Sequence, residues 1–289
     1  MAAMVNQTKT ARPHKGVLTM RGIGKHFGAI KALSGVDFSV SEGEVVALVG
    51  DNGAGKSTLV KILAGVYRAD AGTVELDGTP IEVSSPSHAQ QLGIATVFQD
   101  LALCENLDIV ANIWLGRELV HDRLLDEIEM EERTMLLLRE LSAKIPSVRT
   151  PVAALSGGQR QTVAIARSLI GEPRVIILDE PTAALGVAQS AEVLNLIERL
   201  RERGHGVVLI SHNMTEVLAV ADRVVVLRLG RNNGEYDAAD LTSETLIAAI
   251  TGASTSGVPQ RSREPRTVPV DTNVISLRTK SHPLPGGRS

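Results

Sequence analysis

Eight consecutive residues, Gly50-Asp51-Asn52-Gly53-Ala54-Gly55-Lys56-Ser57, fit the spacing G-x-x-x-x-G-K-[ST], and they lie between an apolar run and a helical pattern opening at Lys56. Glycines so placed let successive backbone N–H groups turn inward on phosphate oxygens, and the helix N-terminus adds its dipole. Lys56 supplies a point charge to the β and γ oxygens of a nucleoside triphosphate; Ser57 offers a hydroxyl to Mg²⁺, and Thr58 follows in the same turn. A second run, Val175-Ile176-Ile177-Leu178-Asp179-Glu180, is apolar and ends in two carboxylates. Open α/β sheets put ligand chemistry at such strand ends. Asp179 is placed to hold the Mg²⁺ shell, usually through water, and Glu180 to point at a water attacking the γ-phosphate, as base or as orienting acceptor. Alone, the run reads as readily as a solvated strand end; the phosphate loop tips the choice. Leu155-Ser156-Gly157-Gly158-Gln159 before another helical run gives a second glycine-rich helix start, and so a second phosphate reader.

Those residues need a frame. Continuous apolar runs at 45–49, 94–98, 175–178, 207–210 and 224–227 have the composition of strands buried on both faces. Helical patterns at 56–64, 159–170, 188–203 and 215–221 separate them, a βαβα rhythm that predicts a mostly parallel sheet covered on both sides. Residues 18–27, 36–40 and 73–76, the last with Asp77-Gly78, read as short strands of an antiparallel edge near the start. Between 99 and 155 the pattern changes: 130–141 is a charged amphipathic helix and no buried strand appears. This predicts an inserted helical lobe over about 100–160. The expected division is a flexible segment 1–17, one domain 18–253, and a disordered Ser/Thr/Pro/Arg tail 254–289.

Composition closes off other classes. The 289 residues are 43% hydrophobic and 22% charged, enough for a sizeable core. Thirty Lys+Arg against thirty-three Asp+Glu leave a net charge of −3, which gives no overall pull toward nucleic acid. An aromatic content of 2% argues against base-stacking platforms. A single cysteine, Cys104, excludes an intrachain disulfide and reads as a small buried filler in a cytosolic chain. No apolar run approaches the ~18–20 residues of a spanning helix, and residues 1–16 hold Lys9, Arg12 and Lys15 with no apolar stretch behind them, so neither a span nor a secretory signal is expected.

With all three motifs in this order, the sequence resembles the ATP-binding-cassette (ABC) ATPases from about residue 18 to 252. The resemblance implies a P-loop NTPase core of RecA-like type, an N-terminal antiparallel β subdomain and an inserted helical subdomain, with ATP and Mg²⁺ as cofactors. It implies a head-to-tail homodimer in which Ser156-Gly157-Gly158-Gln159 of one subunit closes over the γ-phosphate held by the other. Phe27, in Lys25-His26-Phe27-Gly28, takes the place of the aromatic that stacks on adenine. Gln99, in Val97-Phe98-Gln99-Asp100, takes that of the glutamine reaching Mg²⁺ and the water, whose following segment touches the transmembrane partner. His212, in Ile210-Ser211-His212-Asn213, takes that of the histidine that contacts the γ-phosphate and helps hold the geometry of Glu180. Many members continue after Glu180 to Ser-Ala-Leu-Asp, whereas Ala183-Ala184-Leu185-Gly186 stands here, without the carboxylate that usually links the two sites.

The stretches 51–59, Leu101-Ala102-Leu103-Cys104-Glu105-Asn106-Leu107 and Ala111-Asn112-Ile113-Trp114-Leu115-Gly116-Arg117-Glu118, with Ser211-His212-Asn213-Met214 and Arg228-Leu229-Gly230-Arg231, resemble the monosaccharide-importer branch that handles ribose, xylose or fructose. That branch implies a peripheral ATPase on the cytoplasmic face of the inner membrane, beneath two permease subunits fed by a periplasmic sugar-binding protein. Its typical members fuse two cassettes in a chain about twice this length. Alternatives are an importer of another small solute, or a soluble cassette ATPase acting on nucleic acid or ribosomes; the coiled-coil insertions, tandem cassettes and basic surfaces usual in the latter are not visible. A P-loop kinase or GTPase would leave Ser156 to Gln159 without a task.

Overall fold

A computed structural model describes residues 17–253 of the chain. In chain order the elements are β1 (Leu18–Phe27), β2 (Ile30–Val40), β3 (Val45–Val49), α1 (Lys56–Leu63), β4 (Ala71–Leu76), β5 (Thr79–Ile81), α2 (Pro86–Gln91), β6 (Ile94–Val97), α3 (Ile109–Trp114), β7 (Val120–His121), β8 (Leu124–Leu125), α4 (Glu127–Glu140), α5 (Gly157–Leu169), β9 (Val175–Asp179), α6 (Val187–Glu202), β10 (Gly206–Ile210), α7 (Met214–Val220), β11 (Arg223–Arg228), β12 (Arg231–Asp237) and α8 (Ser243–Thr251). The fold is α/β, as the alternating pattern predicts.

Continuous apolar runs can satisfy their backbone only inside a ladder and their side chains only between two layers. Five of them, β11-β3-β10-β9-β6, form the parallel part of a six-stranded sheet, and β12 pairs antiparallel to β11 at its edge. On one face, α3, α4, α5 and α6 contribute Ile113, Leu138, Ile165 and Ile197 against Ile176, Leu178 and Leu209. On the other, Leu59 and Leu63 of α1 pack with Val46, Leu48, Val208 and residues of β1 and β2. A third cluster sets Val217 of α7 and Leu246 and Ile250 of α8 against Ala47, Val49, Val224 and Val226.

Register decides where chemistry can gather. Ile210 lies opposite Leu48 of β3 and Asp179 of β9, and Val97 of β6 lies opposite Leu178. The loops leaving β3, β10, β9 and β6 therefore emerge at one edge, the carboxyl end of the parallel strands.

The antiparallel expectation is met by a four-stranded sheet of order β2-β1-β4-β5. A buried ion pair joins the two sheets: Arg223, at the start of β11, donates to Glu44 (2.8 Å) and to the Ser39 carbonyl of β2 (2.7 Å). Burial would raise the pKa of Glu44, but the Arg223 guanidinium and the Ser41 N–H hold it below the ordinary carboxylate range.

Between β6 and α5 come α3, the two-residue strands β7 and β8, and α4, with Trp114 buried and donating to the Met130 carbonyl and Thr134 hydroxyl at 3.0 Å each. Helices α2, α3 and α8 and strands β5, β7, β8 and β12 were not expected from the sequence, and β2 starts six residues earlier than 36. Cys104 corrects its assignment as a buried filler: it is half-exposed, and its backbone is held by Asn112. No helix among the described residues is long and apolar enough to cross a membrane. The expectations of a flexible start and a disordered tail fall outside the described residues, apart from Val17.

Candidate active site

The loop after β3 takes its shape from backbone that only glycine tolerates. Gly50 has φ 151°, and a Cβ there would sit 2.2 Å from the Leu227 carbonyl oxygen. Gly55 caps α1 at φ 107° with no side-chain cap, leaving the first-turn N–H groups pointed outward without intrahelical acceptors. Lys56 is half-buried in this loop and its ammonium donates to the carbonyls of Gly50 (2.5 Å) and Asp51 (3.1 Å). Desolvation lowers its pKa while Glu180, Asp51 and Asp179 pull the other way. Ser57 is exposed at the start of α1 and Thr58 half-exposed. The loop walls a cleft of about 520 Å³, with Phe27, Ile30, Lys31 and Leu229 on the remaining sides. Phe27 is 40% exposed and stands edge-on to Tyr67 at 5.1 Å, so one ring face is not covered by that neighbour.

At the end of β9, Glu180 adopts φ 51°, a left-handed conformation disfavoured for a non-glycine residue, while its N–H donates to the Ile210 carbonyl of β10 (2.9 Å). The turn brings its carboxylate to 2.6 Å from Nδ1 of His212. Glu180 is 18% exposed and His212 72%, so the pair opens to solvent on the imidazole side. Burial raises the pKa of Asp179, Glu180 beside it raises it further, and Lys56 and Lys61 oppose. Lys56, Asp51, Asp179, Glu180 and His212 thus form one electrostatic group.

Gln99 is exposed two residues beyond β6. The segment after it is held by α5: Arg167 donates to the carbonyls of Leu101 (2.6 Å) and Ala102 (2.8 Å). Asn112, fully buried, binds both the N–H and the carbonyl of Cys104 and the carbonyls of Leu107 and Asp108. The other end of α5 is the second glycine-rich start. There Ser156 and Gln159 form a capping box, Gln159 also donating to the Lys144 carbonyl (2.8 Å). A Cβ on Gly157 would meet Leu185 at 2.8 Å and one on Gly158 would meet Gln189 at 3.2 Å, so this start lies packed on the loop that follows Glu180 and on the first turn of α6. Gly186 caps α6, and its N–H donates to the Gln189 side chain at 3.4 Å.

No cluster of three or more His, Cys, Asp or Glu side chains suited to a metal occurs among the described residues. What is present, the Ser57 hydroxyl, the half-buried Asp179 and the Gln99 amide, is an oxygen donor set. It fits a hard cation held chiefly by phosphates and water, as Mg²⁺ is, and not an all-protein cage. Ile30 and Lys31 line the cleft although no motif marks them, and Leu229, which the sequence marks only through the branch resemblance of 228–231, lines it as well. The available signal was Leu229-Gly230, an apolar residue in a turn; the turn is tied to the phosphate loop by the Gly230 N–H on the Ala54 carbonyl (3.0 Å).

Residues 33–183 match the ABC transporter family. The chain is 46% identical over 215 residues to the xylose/arabinose import ATP-binding protein of Sulfolobus acidocaldarius, covering 74% of this chain and 86% of that one. It is 45% identical over 245 residues to the fructose import ATP-binding protein of Rhizobium meliloti, covering 82% and 94%. It spans about half, 52%, of the ribose import ATP-binding protein 1 of Rubrobacter xylanophilus, at 41% identity over 263 residues and 91% of this chain. Relatives of single and of double length therefore both occur. Among solved structures, the dimeric post-hydrolysis state of the ATP-binding cassette MJ0796 bound to ADP and Pi matches with a TM-score of 0.65 at 26% identity, over 76% of this chain and 98% of that one.

Proposed function

The chain belongs to the ABC transporter family, and on that premise we propose that it is the ATP-hydrolysing subunit of a monosaccharide importer. It works as a head-to-tail homodimer on the cytoplasmic face of the membrane, beneath two permease subunits supplied by a sugar-binding protein. The observation that carries the catalytic part is the Glu180–His212 pair, 2.6 Å apart at the same sheet edge as the phosphate loop. The sugar class rests on likeness to the xylose/arabinose and fructose import proteins.

In this reading the N–H groups of the phosphate loop and α1 receive the β and γ phosphates, and Lys56 exchanges its two carbonyl acceptors for their oxygens. Phe27 stacks on the base. Ser57, Asp179 and Gln99 would hold Mg²⁺, which supplies charge neutralisation at the phosphate oxygens. Glu180 orients the attacking water and accepts its proton, while His212 fixes the carboxylate. The first turn at Gly157 and Gly158 of the second subunit completes the cradle. Closure of the dimer then moves the segment after Gln99, and the permease with it.

Glu180→Gln should reduce ATP turnover at least about a hundredfold with nucleotide affinity retained, and Lys56→Ala should lose nucleotide binding; steady-state hydrolysis and equilibrium binding on the purified chain check both. Undiminished turnover in Glu180→Gln would remove that residue from its role. For the sugar class, vesicles holding the chain with its permease partner should take up ribose, xylose or fructose only with ATP, and uptake of an unrelated solute instead would redirect the assignment.

A further inference from the structure

One hydrogen bond near the site has no part in the chemistry above. Thr182, 7% exposed and two residues past Glu180, donates its hydroxyl to the Glu216 carboxylate at 2.5 Å. Glu216 lies in the first turn of α7, four residues past His212, and its N–H donates to the Asn213 side chain that caps the helix (3.4 Å). The loop 180–183 is itself tight: the Ala183 N–H reaches the Glu180 carbonyl (3.3 Å) and the Leu185 N–H that of Thr182 (3.0 Å).

Two side-chain contacts therefore bridge the segments after β9 and β10, in addition to the backbone bond from the Glu180 N–H to the Ile210 carbonyl. The exposed bridge is Glu180 with His212. The second, Thr182 with Glu216, joins the same two loops through a part-buried contact. The backbone bond and the His212 contact both sit at Glu180 and leave the two segments free to pivot there; a further bridge, offset along both chains, fixes their relative orientation. Glu180 needs such support, since its backbone is held at φ 51°, where a non-glycine residue persists only if its surroundings impose it.

We propose that Thr182 and Glu216 are a positioning pair that holds Glu180 and His212 in register as one rigid unit, a role that rests on the catalytic reading of Glu180 given above. Neither touches nucleotide in this proposal; both act through the placement of the Glu180 carboxylate. A misplacement on the order of 1 Å at a reacting group can cost up to about a hundredfold in rate.

Thr182→Val keeps the shape and removes the donor, and Glu216→Leu removes the acceptor. Each should lower kcat by about tenfold or more with KM for ATP within about twofold. The double variant should be no slower than either single, because each already breaks the one bond. Thr182→Ser should restore kcat, whereas a side chain needed only to fill space would not be rescued by the smaller hydroxyl residue. An unchanged kcat in both single variants, a KM rising in step with the loss, or multiplicative losses in the double variant would each overturn the proposal. Glu180→Gln in the same assay separates the failures: if it too retains full turnover, the catalytic reading has failed, and if it alone is inactive, only the positioning role has.

Discussion

Phe27 is the residue at which the proposed stacking on the base is most directly tested. Its ring is 40% exposed, braced edge-on by Tyr67, with Lys25 Nζ 5.6 Å from its centre. Stacking of a base on an aromatic ring is worth about 1–3 kcal/mol. Phe27→Ala should therefore raise KM for ATP by about tenfold with kcat nearly unchanged, while Phe27→Trp keeps KM near its starting value; an unmoved KM in the alanine variant would take Phe27 out of the cleft's function. At this scale the sequence was highly legible. Lys56, Ser57, Asp179, Glu180 and His212 announce themselves because each belongs to a short run whose local shape its own residues impose. Glu216 does not, because its partner Thr182 is separated from it by a helix and a strand, and no local pattern encodes a contact across that distance.

At the scale of elements, α5 connects two places that must act together. Its first turn is the proposed second phosphate reader, and Arg167, in its last turn, clamps the Leu101 and Ala102 carbonyls of the segment after Gln99. Arg167→Ala should leave ATP turnover of the purified chain within about twofold but lower the sugar taken up per ATP hydrolysed in vesicles, as expected when a connection between two sites is cut and neither site is touched. Equal loss of hydrolysis and uptake would mark Arg167 as structural only. The strands that carry the site were legible since each is an unbroken apolar run. Strand β12 was not: Arg231–Asp237 is polar, exposed along most of its length, and takes its extended form only from pairing with β11. Strands β7 and β8 are two residues each, too short for a period to register.

For the whole molecule, the proposed site is completed by a second copy, so one chain holds two half-sites. ATP turnover per subunit should therefore rise with protein concentration at saturating ATP until the dimer is formed; specific activity that stays flat over a hundredfold dilution would contradict the head-to-tail arrangement. Near-neutral net charge is compatible with the proposed partners, a copy of the chain and a membrane protein, and gives no overall pull toward a polyanion.

Gly186 stands where many ABC proteins keep an aspartate. It is exposed, its φ of −75° suits any residue, and a Cβ there would meet nothing within 4 Å. The missing carboxylate is thus no consequence of packing. An aspartate would fit here without moving any neighbour within the chain, so whether this exposed turn carries a charge is independent of the fold that builds the site.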